Sequence, residues 1–118
     1  GDGGFMFNVQ EMATAVQFGI GVVAIVFNDG AYGNVRRMQK EDYGNRLIAS
    51  DLRNPDFCKM AESYGMPGRK ARSPEELRTV LREALKEKGP SLIEVPMGET
   101  PAPWKYIQLP RNRPPRMS

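Results

Sequence analysis

The stretch VVAIVFNDG, residues 22–30, decides the fold. Residues 22–27 are a continuous apolar, mostly β-branched run, which predicts a strand covered on both faces in a parallel sheet. Asn28, Asp29 and Gly30 follow directly and are typical of a turn. Because open α/β sheets bind their ligands outside the carboxyl ends of the strands, the polar side chains after this run are the first candidates for a functional site.

Further elements alternate with this strand along the chain. Residues 91–96 predict a second strand, and residues 69–71 predict a shorter and weaker one. Apolar residues at helical spacing predict three helices, and the alternation favours an α/β domain with a parallel sheet flanked by helices. The apolar positions are Val9, Met12, Ala13 and Val16 in the first helix, Phe57, Met60, Ala61 and Tyr64 in the second, and Leu77, Val80, Leu81, Ala84 and Leu85 in the third.

The ends of these helices carry recognisable residues. Gly19 and Gly65 are placed as C-terminal caps of the first two helices. Asn54 is predicted to cap the start of the second helix, with Pro55 in its first turn. The third helix is predicted to begin at residues 73–76, a capping box with proline at the first helical position.

Composition restricts the chemistry that this chain can perform by itself. Its 118 residues include no histidine and one cysteine, Cys58. Ser-His-Asp and Cys-His catalysis, imidazole zinc sites and an internal disulfide are therefore excluded within the chain. Cys58 falls at an apolar helix position and is predicted to be a small buried hydrophobe. The lone cysteine, with no signal peptide and no apolar run of membrane-spanning length, favours a cytoplasmic protein without membrane contact.

The basic charge is concentrated at the end of the chain. The net charge is +3, and residues 100–118 alone contribute +4. We therefore predict two parts, a domain at residues 1–97 and a Pro-rich basic tail at residues 98–118. The tail is expected to pack over a neighbouring domain or subunit, with Trp104 and Tyr106 as anchors. Nucleic acid is not the expected partner, because no aromatic interleaving or known nucleic-acid module accompanies the basic residues.

Two acidic residues stand at corresponding places in the predicted sheet. Residues 1–4, GDGG, are typical of a turn that follows a parallel strand and opens a helix. No strand precedes Gly1, so we expect the domain to begin upstream and to lack its N-terminal strand here. Asp2 and Asp29 would then meet at one sheet edge, where carboxylate oxygens can hold Mg²⁺. The backbone N–H groups at the helix start would face a diphosphate.

Other interpretations of the same residues remain open. Residues 1–4 could be a flexible glycine-rich terminus, and residues 28–29 could be a plain turn. Residues 38–53 are polar and mixed, and they predict a loop with a short helical turn at its start. A Rossmann-type nicotinamide domain is disfavoured, because the second and third glycines of its motif are not at the required spacing after Gly1.

The spacing of the two acids resembles the cofactor motif of thiamine-diphosphate-dependent enzymes, in which Gly-Asp-Gly is followed, after a helix and a strand, by Asn-Asn or a close variant. Here Asp2 and Asp29 are 27 positions apart. The resemblance covers residues 1–97 and points to the acetolactate synthase and benzoylformate decarboxylase superfamily. The segments that carry it beyond the motif are residues 28–36, 54–57, 60–65, 73–77 and 89–95.

The resemblance implies a set of magnesium ligands. Asp2 and Asp29 would bind Mg²⁺ through their side chains, and Ala31 would bind it through its backbone carbonyl. Asp29 stands where the family usually has its second asparagine, which adds a negative charge beside the diphosphate. Asn28 is the alternative ligand if the loop is shifted by one residue.

The resemblance also implies cofactor contacts. Gly3 and Gly4 would donate backbone N–H groups to the diphosphate of thiamine diphosphate. Val35 would lie near the thiazolium ring and the substrate. Tyr32 and Asn34 would lie close to the cofactor or its phosphates.

The implied activity is that of a lyase or carboligase of 2-oxo acids, with the carbonyl chemistry performed on the cofactor. The glutamate that acts on the pyrimidine ring would lie in a pyrimidine-binding domain of the partner subunit, in a homodimer or homotetramer. No catalytic residue is expected in this chain, which should not turn over substrate alone, and Glu11 is interpreted as a polar helix position. The alternative is a non-catalytic α/β binding or interaction module with a basic tail.

Overall fold

The computed structural model describes residues 1–101, 106 and 107. Its strands form one all-parallel sheet in the order β1 (Val23–Asn28), β3 (Ser91–Pro96) and β2 (Gly68–Lys70), which confirms the predicted α/β architecture. No helix in this described part is long and apolar enough to cross a membrane. The elements are α1 Asp2–Phe5, α2 Glu11–Gln17, β1 Val23–Asn28, α3 Gly33–Glu41, α4 Phe57–Ser63, β2 Gly68–Lys70, α5 Pro74–Ala84 and β3 Ser91–Pro96.

The central strand, β3, divides the core in two. Leu92 and Ile93 are fully buried, and as consecutive strand residues they point to opposite faces of the sheet. Leu92 packs with residues of α2 and α4, whereas Ile93 packs with residues of α5. β1 lies at the edge of the described sheet, and Phe27 is 44% exposed, so β1 is covered only in part.

The register of β1 against β3 positions the functional end of the sheet. Val23 pairs with Ser91, and the pairing continues without interruption to Asn28 and Pro96. The two strands therefore end together. The residues that follow β1 begin at this shared carboxyl edge.

The first predicted helix is split into α1 and α2. Residues 6–10 form turns between them, in which Asn8 N donates to Phe5 O and Glu11 N donates to Asn8 O. Ala13 was expected on the apolar face but is exposed, and Ala15 is buried in its place. The interruption changes the side of the helix that faces the core.

Asn54 is not the N-cap of the second predicted helix. That helix, α4, begins at Phe57, and the Asp56 carboxylate accepts from the backbone N–H groups of Cys58 at 3.0 Å and Lys59 at 3.1 Å. Pro55 consequently lies before the helix. The predicted end is confirmed, because Gly65 follows α4 with a φ of +84°.

The third predicted helix is confirmed as α5, with one exception. Ser73 Oγ accepts from Glu76 N at 3.1 Å, and Pro74 occupies the first turn. Leu85 was expected in the apolar stripe but is 67% exposed, and it lies at the C-cap of α5, which ends at Ala84.

The segment after β1 contains a helix that no pattern predicted. Residues 33–41 form α3. Its last turn covers residues 38–41 and irregular backbone follows over residues 42–53, which agrees with the short helical turn and loop predicted for residues 38–53. In the tail, Tyr106 is 86% exposed and does not anchor it. Trp104 and the basic residues of the tail lie outside the described residues. The division between residues 97 and 98 stays a prediction.

Candidate metal and diphosphate site

The start of α1 lies beside the end of β1. A Cβ atom added to Gly1 would be 4.0 Å from Phe27 O, so the first helix begins against the last residues of the strand. Asp2 is 1% exposed, and its Oδ2 accepts from Gly30 N at 3.1 Å. The predicted meeting of the Asp2 region with the turn after β1 is therefore observed.

The carboxyl groups of Asp2 and Asp29 lie within hydrogen-bonding reach of each other. Burial, and then the hydrogen bond and charge of Asp2, raise the pKa of Asp29 above its ordinary value. Burial opposes ionisation of Asp2, but hydrogen bonds from Asn54, Asp29 and nearby backbone N–H groups outweigh it and lower the pKa of Asp2. Two adjacent carboxyls resist joint ionisation unless a cation compensates them. This donor set fits a hard divalent ion.

The amide of Asn28 is occupied by contacts within the protein. Its Oδ1 accepts from Gly30 N at 3.2 Å and from Asn54 Nδ2 at 2.9 Å. Its Nδ2 donates to Glu94 Oε1 at 2.9 Å. The Asp29 side chain lies within hydrogen-bonding reach of the Asp2 carboxyl. The choice between Asp29 and Asn28 as the metal ligand stays a prediction.

Sequence reasoning missed two polar residues at this site, Asn54 and Glu94. Asn54 Nδ2 donates to Asp2 Oδ2 as well as to Asn28. Glu94 is 4% exposed in the middle of β3, and its Oε2 lies 3.0 Å from Lys70 Nζ on β2. The hydrogen bond that Lys70 donates to Glu94, opposed by burial, raises the pKa of Lys70. An acid inside an otherwise apolar strand was the available sequence signal, because a buried charge needs a partner.

The backbone around Ala31 is fixed by the chain that follows α3. Ala31 is buried and forms an antiparallel bridge with Asp51, and Tyr32 N donates to Ser50 O at 2.8 Å. Gly30 enters this turn with a φ of +67°, a conformation that glycine adopts without strain. The Ala31 carbonyl, predicted as the third metal ligand, thus belongs to a segment whose backbone is held in place by hydrogen bonds.

Glycines at the site allow close approaches. A Cβ atom on Gly3 would lie 2.5 Å from Tyr32 Cε1, so the Tyr32 ring packs directly on that backbone. A Cβ atom on Gly33 would lie 2.5 Å from Asp29 Oδ2. The Asp29 carboxylate therefore lies against the first residue of α3, where the helix dipole favours negative charge. A Cβ atom on Gly4 would meet nothing within 4 Å, which leaves space beside α1.

Asn34 and Val35 lie in the first turn of α3, next to Gly33. Both residues are exposed, and Asn34 Oδ1 accepts from Arg37 Nη2 at 2.8 Å. The structure places them beside the loop that carries Asp29. Their contacts with a cofactor stay predictions.

A second group of possible ligand atoms has a structural explanation. Ligand atoms of Asp56, Cys58 and Glu94 lie within 4.8 Å of one another. Asp56 caps α4, and Glu94 is paired with Lys70. Cys58 is half-buried and not buried as predicted, and burial followed by the charge of Glu94 raises the pKa of its thiol.

The sequence, fold and site geometry define a thiamine-diphosphate-binding domain. Residues 1–95 match the family described as thiamine pyrophosphate enzyme, C-terminal TPP binding domain, and the chain belongs to this family. The resemblance seen in the sequence is confirmed. The match to this family supports thiamine diphosphate as the cofactor.

Two curated relatives are acetolactate synthases. The chain is 43% identical over 97 residues to acetolactate synthase from Bacillus subtilis (strain 168), which covers 82% of this chain and 17% of the relative. It is 40% identical over 95 residues to the probable acetolactate synthase large subunit of Methanococcus aeolicus, covering 80% of the chain and 16% of the relative. The chain therefore spans less than a fifth of these relatives.

Two solved structures share the fold. Benzoylformate decarboxylase from Polynucleobacter necessarius superposes with a TM-score of 0.77 and 31% identity, covering 84% of this chain and 19% of that one. The thiamine diphosphate-dependent 4-hydroxybenzoylformate decarboxylase of Rhodococcus jostii RHA1 gives a TM-score of 0.78, with the same identity and coverage. Both are decarboxylases, whereas the two curated relatives are acetolactate synthases.

Proposed function

We propose that this chain binds Mg²⁺ and the diphosphate of thiamine diphosphate within a larger enzyme. The observation that carries the proposal is the position of the Asp2 carboxylate, whose Oδ2 accepts from Gly30 N at 3.1 Å, beside the turn that holds Asp29, 27 positions away in the sequence. Two neighbouring carboxyls on the carboxyl side of a parallel sheet provide the oxygen ligands that Mg²⁺ prefers. Membership in the family supports the identity of the cofactor.

The residues of this chain would divide the binding task. Asp2 and Asp29, through their carboxylates, and Ala31, through its backbone carbonyl, would hold the metal. The backbone N–H groups of Gly3 and Gly4 would face the diphosphate, since anions favour the start of a helix. Thiamine diphosphate, when bound, supplies a carbanion and an electron sink for carbonyl chemistry. The protein groups here bind and orient it.

The proposed reaction of the larger enzyme is decarboxylation of a 2-oxo acid, or carboligation that follows it. Similarity to acetolactate synthases and to benzoylformate decarboxylases supports this substrate class. The pyrimidine ring would be bound by another domain from the partner subunit of a homodimer or homotetramer. On that arrangement the chain alone is inactive, and detectable 2-oxo acid decarboxylation by the purified chain would contradict it.

The test is Asp2→Ala in the full-length protein that contains this domain. We expect Mg²⁺-dependent binding of thiamine diphosphate to be lost in calorimetry, because half of the carboxylate pair is removed. Asp42→Ala is the control, since Asp42 is an exposed acid at the opposite end of α3 and should leave binding unchanged. If Asp2→Ala binds as well as the parent, the metal assignment is wrong and the non-catalytic interaction module is favoured.

A further inference from the structure

Asn54 joins two segments that are distant in the sequence. Its Nδ2 donates to Asp2 Oδ2 and, at 2.9 Å, to Asn28 Oδ1. These bonds span 52 and 26 positions, so Asn54 connects the start of α1 to the end of β1. The residue is available for this because Asp56, and not Asn54, caps α4.

The bonds continue from Asn28 into the sheet. Asn28 Nδ2 donates to Glu94 Oε1 at 2.9 Å, and Glu94 Oε2 lies 3.0 Å from Lys70 Nζ. Asn28, Glu94 and Lys70 belong to β1, β3 and β2, so all three strands take part. Side chains supported by rigid strands hold their orientation better than side chains on a free loop.

The side-chain amide of Asn54 fixes the orientations of the Asp2 and Asn28 side chains, because it donates to both. Asp2 Oδ2 accepts from both Asn54 and Gly30, so the carboxylate cannot rotate without losing both bonds. The Asn54 amide also donates to Asn28 Oδ1, which leaves Asn28 Nδ2 directed toward Glu94. The Asp29 side chain lies within hydrogen-bonding reach of the same carboxyl group.

We propose that Asn54 is a positioning residue for the Mg²⁺ site. It orients the Asp2 carboxylate, and it holds the Asn28 side chain in its hydrogen bond with Glu94. Asp2 and Asp29 are then the two carboxylate ligands of the metal. This inference rests on the proposed function, because it requires that Asp2 and Asp29 bind the cation. Groups that orient metal ligands contribute to affinity without touching the metal.

The test uses Asn54→Leu in the full-length protein. Leucine has the same branching at Cγ as asparagine but no N–H donor, so the bonds to Asp2 and Asn28 are lost while the branched shape is kept. Calorimetric titration with Mg²⁺ at saturating thiamine diphosphate should show affinity weakened by about 10- to 100-fold. Asn54→Ala is the second variant, for use if the leucine does not fold, and a loss in the same direction is expected.

Two controls separate positioning from general destabilisation. Asp56→Ala removes the cap of α4 two positions later, and it should lower the melting temperature while Mg²⁺ affinity stays unchanged. A positioning role also predicts that excess Mg²⁺ restores kcat in Asn54→Leu, because only the metal affinity has fallen. A purely structural defect would lower kcat at every Mg²⁺ concentration.

The outcomes distinguish this inference from the proposed function. If Asp2→Ala abolishes Mg²⁺-dependent binding but both Asn54 variants bind Mg²⁺ normally, the positioning role is overturned and the site stands. Equal losses in the Asn54 variants and Asp56→Ala would also overturn it, since general destabilisation would explain both. If Asp2→Ala has no effect, the proposed function fails and this inference fails with it.

Discussion

The carboxyl end of the sheet and the face covered by α5 are stabilised by different interactions. Around Asp2 the contacts are directional hydrogen bonds between polar groups, among them the half-buried amides of Asn28 and Asn54. Under α5 the contacts are apolar, with Ala84 and Ile93 fully buried. The hydrogen bonds around Asp2 fix the orientations of side chains, whereas the packing under α5 removes apolar surface from water. Substitutions in the two regions should therefore affect different measurements.

Ile93→Ala should give the largest effect on stability. Ile93 is fully buried on β3, and truncating such a side chain costs about 2–5 kcal/mol because a cavity remains. Thermal unfolding of the full-length protein should begin at a lower temperature. Mg²⁺ affinity measured below that temperature should be unchanged, and a large loss of affinity would mean that the two regions are coupled.

Gly33→Ala should affect the site more than the fold. The new Cβ would lie 2.5 Å from Asp29 Oδ2, so the carboxylate must move away from its position beside Asp2. We expect Mg²⁺ affinity to fall about tenfold, which corresponds to about 1.4 kcal/mol. Gly98→Ala is the matched control, because its Cβ would meet nothing within 4 Å. Equal affinities for the two variants would show that Asp29 is not held where the structure places it.

Ser73→Ala tests the α5 region at its edge. Ser73 Oγ accepts from Glu76 N at 3.1 Å, and loss of such a cap costs about 1 kcal/mol. The melting temperature should fall by less than in Ile93→Ala. Cofactor binding should not change, and a change would contradict the separation of the two regions.

The smallest expected effect is on the pH dependence of Cys58 alkylation, which depends on the nearby Glu94 carboxylate. Burial and the Glu94 charge raise the pKa of its thiol, so the reactive thiolate forms only at higher pH than in an unstructured peptide. The alkylation rate should therefore rise with pH through a raised midpoint. Glu94→Gln should lower this midpoint, because the neighbouring charge is removed. A midpoint equal to that of an unfolded control would place Cys58 outside the network.

Local patterns predicted much of the fold. The strand at residues 91–96 is observed with the predicted ends, and the cap at Ser73 and the C-terminal Gly65 are confirmed. The failure at Asn54 is informative, because Asn54 and Asp56 are both good N-cap residues and lie two positions apart. Local preference could not choose between them. The choice depends on contacts that Asn54 makes with Asp2 and Asn28.

The sequence by itself determined the α/β class, the family and the proximity of Asp2 and Asp29. The alternation of strands and helices and the spacing of the motif can be recognised in the sequence, and parallel strands share a carboxyl edge. The tertiary structure decided the orientation of the Asn28 side chain, because its amide donates to Glu94, 66 positions away in the sequence. It also placed Lys70 beside Glu94. Contacts across such separations depend on how the strands and helices pack, and no local pattern encodes them.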